Sequence, residues 1–286
     1  MFTILGFIVV FVTVFGGYMA QGGHMAVLFQ PFEFLIILGA AFGSFMIGNP
    51  KDVVLGTAKS IGLILKGTRH NKATYLETLS MLYTIFRLAK TKGDLALESH
   101  VEKPSESPLF QRFPGIMADH HTLEFLCDYL RLLTLGTNNS HEVETIIDAE
   151  IEAHHHELAA RAGAVTNMGD ALPALGIVAA VLGVIHTMGS ITEPPEVLGH
   201  LIGGALVGTF FGVLVAYGFV TPIANNLTAV FNTETVYLNC IKMGLLAHMQ
   251  GYAPQVSIEF ARKGLPGSIR PSFSELEDAI GNLSSE

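Results

Sequence analysis

Four stretches of the chain are apolar at nearly every position and contain no lysine or arginine: residues 2–20, about 32–47, about 171–188 and about 197–221. At about 1.5 Å of rise per residue, about 20 helical residues cross the roughly 30 Å of membrane hydrocarbon, so each stretch predicts a span. The second is the shortest and begins beside Glu33. Elsewhere the pattern changes. Leu76, Leu79, Leu82, Phe86 and Ala89 fall on one helical face, and Gly93 ends that helix. Residues 142–161 hold no helix breaker and predict a helix of their own, with Asp170 placed to cap the third span. A further helix over about 223–248 carries the fourth span onward and stops at Gly251 and Pro254. Alternation with a period of two is scarce. The fold class predicted is all-α: a polytopic membrane protein with four transmembrane helices and a helical cytoplasmic domain.

Charge then sets an orientation. Twelve of the 16 basic residues lie between Lys51 and Arg161, and the others are Lys242, Arg262, Lys263 and Arg270. The links within each pair of spans, residues 21–31 and 190–196, contain none. Because basic residues stay on the cytoplasmic side, this predicts a transmembrane hairpin at 1–50, a cytoplasmic loop domain at 51–168, a second hairpin at 169–222 and a cytoplasmic helix and tail at 223–286. The expected location is the bacterial inner membrane. The first stretch has no basic leader and no small-residue cleavage pattern, so it reads as a retained span. A net charge of −9 offers no basic face to nucleic acid. Cys127 and Cys240 suggest neither a disulfide framework nor a metal site.

The predicted spans are poor in ionisable groups. Glu33 stands at an outer edge, Asp170 at the start of the third span, and Glu193 and Glu196 in an outer link. Thr209, His186 and His200 are what remain. An ion path needs titratable groups or polar-lined water. The chain is therefore either no transporter or one part of a transporter whose ionisable group comes from another chain. Gly204, Gly208 and Gly212 line one face of the fourth span, and Gly39 and Gly43 one face of the second. Such faces permit close helix approach, within one subunit or between subunits.

Six strings carry a family likeness: GDALPALGIVAAVLGVIH at 169–186, VGTFFG at 207–212, AYGFVTP at 216–222, DYLR at 128–131, GYAP at 251–254 and RPSF at 270–273. In this order and spacing the chain resembles the MotA family of flagellar stator subunits. The resemblance implies a ring, a pentamer, around two copies of a MotB-like peptidoglycan-anchored partner. That partner supplies the proton-binding aspartate, and proton flow drives a rotor switch-complex protein of the FliG type. It also implies roles for particular residues: Lys90, Glu98 and Glu150 at the rotor interface, Pro173 and Pro222 in coupling ion passage to movement, and Ala180 and Thr209 along the ion path. Lysine stands at 90 where the family usually has arginine, which keeps the charge and loses the bidentate fork. Sodium-driven relatives carry a hydroxyl where Ala180 stands, so the implied ion is the proton. Apart from the family, Lys90 and Glu98 read as a solvated face, and the prolines as plain helix boundaries.

Glu150 and His154 have the spacing of a metal pair, but consecutive histidines at 154–156 point around a helix. The expectation is a solvated helix, with no metal and no cofactor. Neither a nucleophile–base arrangement nor a nucleotide fingerprint is present, so no enzyme is predicted. The alternatives are a TolQ/ExbB-type transducer, which has three spans, a membrane scaffold without ion flow and, more remotely, an intramembrane metalloenzyme.

Overall fold

A computed structural model of the chain describes residues 2–66, 70–137 and 139–284; Arg69, one of the basic residues counted above, and the last two residues lie outside it. Among the described residues there is no strand. Helix α1 spans Phe2–Ala20, α2 is the single turn Met25–Leu28, α3 spans Pro31–Gly48 and α4 Lys51–Lys66. Helix α5 (Lys72–Lys92) leads through a 3₁₀ turn, Asp94–Leu97, to α6 (Glu98–Glu102), α7 (Pro108–Gln111), α8 (Pro114–Met117) and α9 (His120–Thr134). Helix α10 runs unbroken over Ser140–Met188. Helix α11 (Pro195–Val215) passes through a π turn, Ala216–Val220, into α12 (Thr221–Met249), followed by α13 (Pro254–Lys263) and α14 (Phe273–Ser284).

Local chemistry explains the helix ends. The Asn71 side chain accepts from the Ala73 and Thr74 amides at 2.9 and 3.1 Å, satisfying donors that the first turn of α5 leaves free. Gly93 ends α5 at φ +83° and Gly251 follows α12 at φ +87°, a region that glycine enters without a Cβ penalty. Helices α3, α7, α8, α11 and α13 open on proline, whose missing N–H costs nothing there.

The chain forms two compact units: Met1–Gly67 with His156–Phe231, and Thr68–His155 with Asn232–Glu286. In the first, α1 buries no residue at all. Phe2, Phe32 and Ile47 are 89%, 80% and 90% exposed. Helices α3, α10 and α11 likewise turn Leu35, Ile177, Ile185 and Leu206 outward. Apolar surface on that scale belongs in lipid, not water. Among the described residues, four helical stretches are long and apolar enough to cross a membrane, lying at Phe2–Ala20 and Met25–Gly48 and within Ser140–Met188 and Pro195–Met249. The chain is therefore a multi-pass membrane protein. Inside this unit, Ile37 and Ala41 pack with Leu172, Ala179 and Ala216. Leu158, Ala162 and Val165 of α10 pack with Ala224, Leu227 and Phe231 of α12.

The second unit has an ordinary apolar core. Leu79, Leu82, Phe86 and Ala89 of α5 are buried on the face the sequence predicts, and Leu76 is partly buried against them. They pack with Leu126 and Leu130 of α9, Ile147 of α10, Ile241 and Leu245 of α12 and Ile258 of α13. A hydrogen bond of 2.7 Å joins the buried hydroxyls of Thr78 and Tyr237, so neither polar group is stranded in the core. Both cysteines are buried here, and burial pushes each thiol up to about 12.

Two expectations need correction. The helix expected at 142–161 and the third span are one element, so Asp170 is an exposed residue of its interior and not a cap. Pro173 consequently lies inside α10 and not in a first turn. Asp170 and Pro173 imitate a helix start in sequence. The packing of Leu158, Ala162 and Val165 on one side of them and of Leu172 and Ala179 on the other holds the helix through both.

Candidate functional site: a glycine-packed helix pair and a charged turn

In the first unit, α10 and α11 approach as closely as backbones allow. A Cβ added at Gly212 would stand 2.6 Å from the Leu172 carbonyl oxygen and 3.0 Å from the Gly176 Cα. One added at Gly176 would stand 2.8 Å from the Gly208 carbonyl oxygen. The glycine face of the fourth span is thus used within the chain. Gly39 and Gly43 on α3 meet no atom within 4 Å of an added Cβ.

The residues implied for the ion path lie at this seam. The Ala180 amide nitrogen is 3.3 Å from a Cβ placed at Gly208, and the Thr209 Cα is 3.3 Å from one placed at Gly176. Both residues are half-buried. The hydroxyls of Thr166 and Thr187 bond to the carbonyl four residues back.

Glu33 is more than an edge residue. It lies in the first turn of α3. Its carboxylate oxygens come within 3.2 Å of a Cβ added at Gly183 and 2.7 Å of one added at Gly208. Glu33, His186, His200, Gln30 and Gly204 share the lining of one cavity of about 560 Å³. Sequence alone could not foresee that the two glycines make room for this carboxylate.

The prolines implied in coupling, Pro173 and Pro222, sit beside distortions of the helical ladder. Pro173 lacks the amide that would bond to the carbonyl of Gly169. Pro222 is the second residue of α12, directly after the π turn, where the widened winding removes the demand for its missing N–H. A Cβ at Gly169 would meet the Thr221 hydroxyl at 3.1 Å, so the two irregular stretches adjoin.

In the second unit, Lys90 is exposed near the end of α5 and donates to the Gly251 carbonyl at 3.1 Å. Glu98, exposed, opens α6 on the far side of the 3₁₀ turn. A cavity of about 400 Å³ beside Lys90 is lined also by Gly93, Asp94, His248 and Gly251. His248 stacks on Phe86 with ring centroids 4.6 Å apart and lies 3.8 Å from the Asp94 carboxylate. Burial holds its imidazole below the ordinary value, with Lys90 acting in the same direction and Asp94 opposing. Glu150 is exposed yet committed, because its carboxylate accepts from the Tyr129 hydroxyl. Within DYLR, Arg131 also pairs with Asp128 at 2.6 Å. Within RPSF, Arg270 donates to the Leu265 carbonyl at 2.8 Å, and the buried Arg262 donates to the Pro271 carbonyl at 2.8 Å. The DYLR contact is local to α9, and the RPSF contacts close the turn between α13 and α14.

The histidines do not behave as a solvated stripe. The rings of His154 and His121, from α10 and α9, stack with centroids 4.2 Å apart. Glu234 of α12 joins them and accepts from Nε2 of the buried His70 at 2.8 Å. Residues this distant in sequence gave no spacing signal.

Residues 4–93 match the family described as motility protein A N-terminal, and residues 118–239 match the MotA/TolQ/ExbB proton channel family. The chain is 44% identical over 280 residues to motility protein A of Salmonella typhimurium, covering 98% of this chain and 95% of that protein. It has the same identity and coverage with motility protein A of Escherichia coli. Chemotaxis protein LafT of Vibrio parahaemolyticus is 34% identical over 273 residues, covering 96% of each chain. In structure the chain is similar to the flagellar MotAB stator complex from Bacillus subtilis, with a TM-score of 0.77, 25% identity and coverage of 96% of this chain and 100% of that one. C. jejuni MotAB is similar in fold, with a TM-score of 0.79 at 22% identity, covering 95% and 98%.

Proposed function

The chain belongs to the MotA/TolQ/ExbB proton channel family, on its motility protein A branch, and on that footing we propose that it is a stator subunit of the bacterial flagellar motor. It forms a proton channel with a MotB-like partner and converts proton flow into torque on the rotor. It sits in the inner membrane with residues 51–168 and 223–286 on the cytoplasmic side, in a pentamer around a partner dimer. The observation that carries the reading is the α10–α11 seam. Ala180 and Thr209 line it, and glycines bring the two backbones together there. The seam is closed by main chain and small side chains, with Thr209 along it and the Glu33 carboxylate beside Gly208, and it offers no aspartate of its own, so the partner supplies one.

A proton falling through 100 mV releases about 2.3 kcal/mol. Neutralising the partner's carboxylate changes what the seam must solvate, and α10 and α11 yield at Pro173 and at the π turn before Pro222. The movement reaches Lys90 and Glu98, which present opposite charges to complementary charges on a FliG-like rotor protein.

Two measurements test this. Coexpression with an aspartate-bearing single-helix partner should give a proton leak that neither chain gives alone and that loss of the partner's aspartate abolishes. A pair that assembles without conducting would sink the channel. Reversing Lys90 or Glu98 (Lys90→Glu, Glu98→Lys) should cut swimming while membrane levels hold, whereas Lys90→Arg should keep it. Each exposed charge contact contributes only about 0.2–1 kcal/mol, so single reversals should be partial and the double reversal more severe. Normal motility in both singles and the double would refute the rotor assignment.

A further inference from the structure

We propose that His121, His154 and Glu234 form a binding site for one divalent transition cation of the zinc class in the second unit, tying α9, α10 and α12 together. Their ligand atoms all lie within 4.8 Å of one another. A tetrahedral ion with bonds of about 2.0–2.1 Å needs its ligand atoms about 3.3 Å apart, which requires the stacked rings of His121 and His154 to turn until their nitrogens converge on one point. Two imidazoles and one carboxylate suit Zn²⁺, Co²⁺ or Ni²⁺; Mg²⁺ and Ca²⁺ call for all-oxygen sets.

Two further features favour a built site over an accidental meeting. His70 is 4% exposed, and its Nε2 lies 2.8 Å from one Glu234 oxygen. A carboxylate can only accept, so the His70 Nε2–H donates to Glu234, while the buried Nδ1 has no hydrogen-bond partner. That bond fixes the carboxylate as an outer-shell partner does in known metal centres. Asp119 completes a second group with His70 and Glu234, its atoms also within 4.8 Å, and it is itself held by the Thr122 hydroxyl at 3.0 Å. Glu234 is therefore braced on one side while it meets two imidazoles on the other. His121 is exposed, so an ion has a way in. The three ligands are separated by 33 and 80 residues in sequence, so an ion there would close two long loops.

The site does not rest on the stator reading, and its test reports no motility. The full chain, purified in detergent without a histidine tag and stripped with a chelator, is titrated with Co²⁺ and then Zn²⁺. One Co²⁺ per chain should bind with the strong visible absorption of a low-coordinate nitrogen site, and one Zn²⁺ should displace it. His154→Ala and His121→Ala should each weaken binding at least about 100-fold, the upper end of what losing an outer-shell partner costs. His70→Gln should weaken it less. His156→Ala, at an exposed neighbour outside the cluster, should leave it unchanged. Helical content of each variant, read by circular dichroism, separates ligand loss from unfolding. Absence of stoichiometric binding overturns the proposal. So does binding that survives His121→Ala, or that falls with His156→Ala, because the run at 154–156 would then be holding the ion by itself.

Discussion

Swimming should stop in a Gly212→Val variant. The glycine's missing Cβ is what lets the Leu172 carbonyl oxygen and the Gly176 Cα lie where they do, 2.6 and 3.0 Å from that point. Both are backbone atoms, so no side chain can turn aside. Helices α10 and α11 must separate, at an overpacking cost of about 1–3 kcal/mol, and the seam holding Ala180 and Thr209 opens with them. Gly176→Val should do the same, since its Cβ would meet the Gly208 carbonyl oxygen at 2.8 Å. Gly62, with nothing within 4 Å, provides the control: Gly62→Ala should swim normally. Spreading in soft agar, read beside the membrane level of each variant, decides the matter. A Gly212→Val strain that spreads like its parent would mean the two helices need no close contact.

The proline variants should show the opposite combination, a sturdier chain that cannot work. Pro173→Ala restores an amide inside α10, and Pro222→Ala lets the winding before α12 tighten from π to an ordinary α turn. Proline costs up to about 3 kcal/mol in a helix interior relative to alanine. Removing it from a helix that must bend biases the equilibrium toward the straight form by as much as about 100-fold. The double variant should therefore melt no lower than its parent, reach the membrane, bind its partner and transmit little torque to a tethered cell. If Pro173 and Pro222 had no part in coupling, torque would survive. Lower melting together with lost motility would instead mark them as structural.

Much of this was legible because membranes and glycines leave strong marks. The spans follow from apolar length alone, and the ends of α5 and α12 from Gly93 and Gly251, whose positive φ few other residues tolerate. The unbroken α10 was hidden because Asp170 and Pro173 are start signals locally, and tertiary packing overrides them. The π turn leaves no signature beyond a proline in a likeness to other chains. Glu33 reads as an edge residue until Gly183 and Gly208 are seen to make room for it. The cluster of His121, His154 and Glu234 is a product of topology: three helices meet there, and no window of sequence contains all three. Roles at Lys90, Glu98, Ala180 and Thr209 came through family likeness, since an exposed charge or a small residue in a span has no distinctive pattern by itself.

The two native thiols have a practical use. Burial pushes the Cys127 and Cys240 thiols up to about 12, so each holds far less thiolate at neutral pH than an ordinary cysteine does. Maleimides and mild oxidants should pass them by. The unaltered chain is thus already a silent background for labelling, and a cysteine introduced in place of Glu98 or at residue 192 will report, by which reagents reach it in intact cells, the side of the bilayer on which it lies.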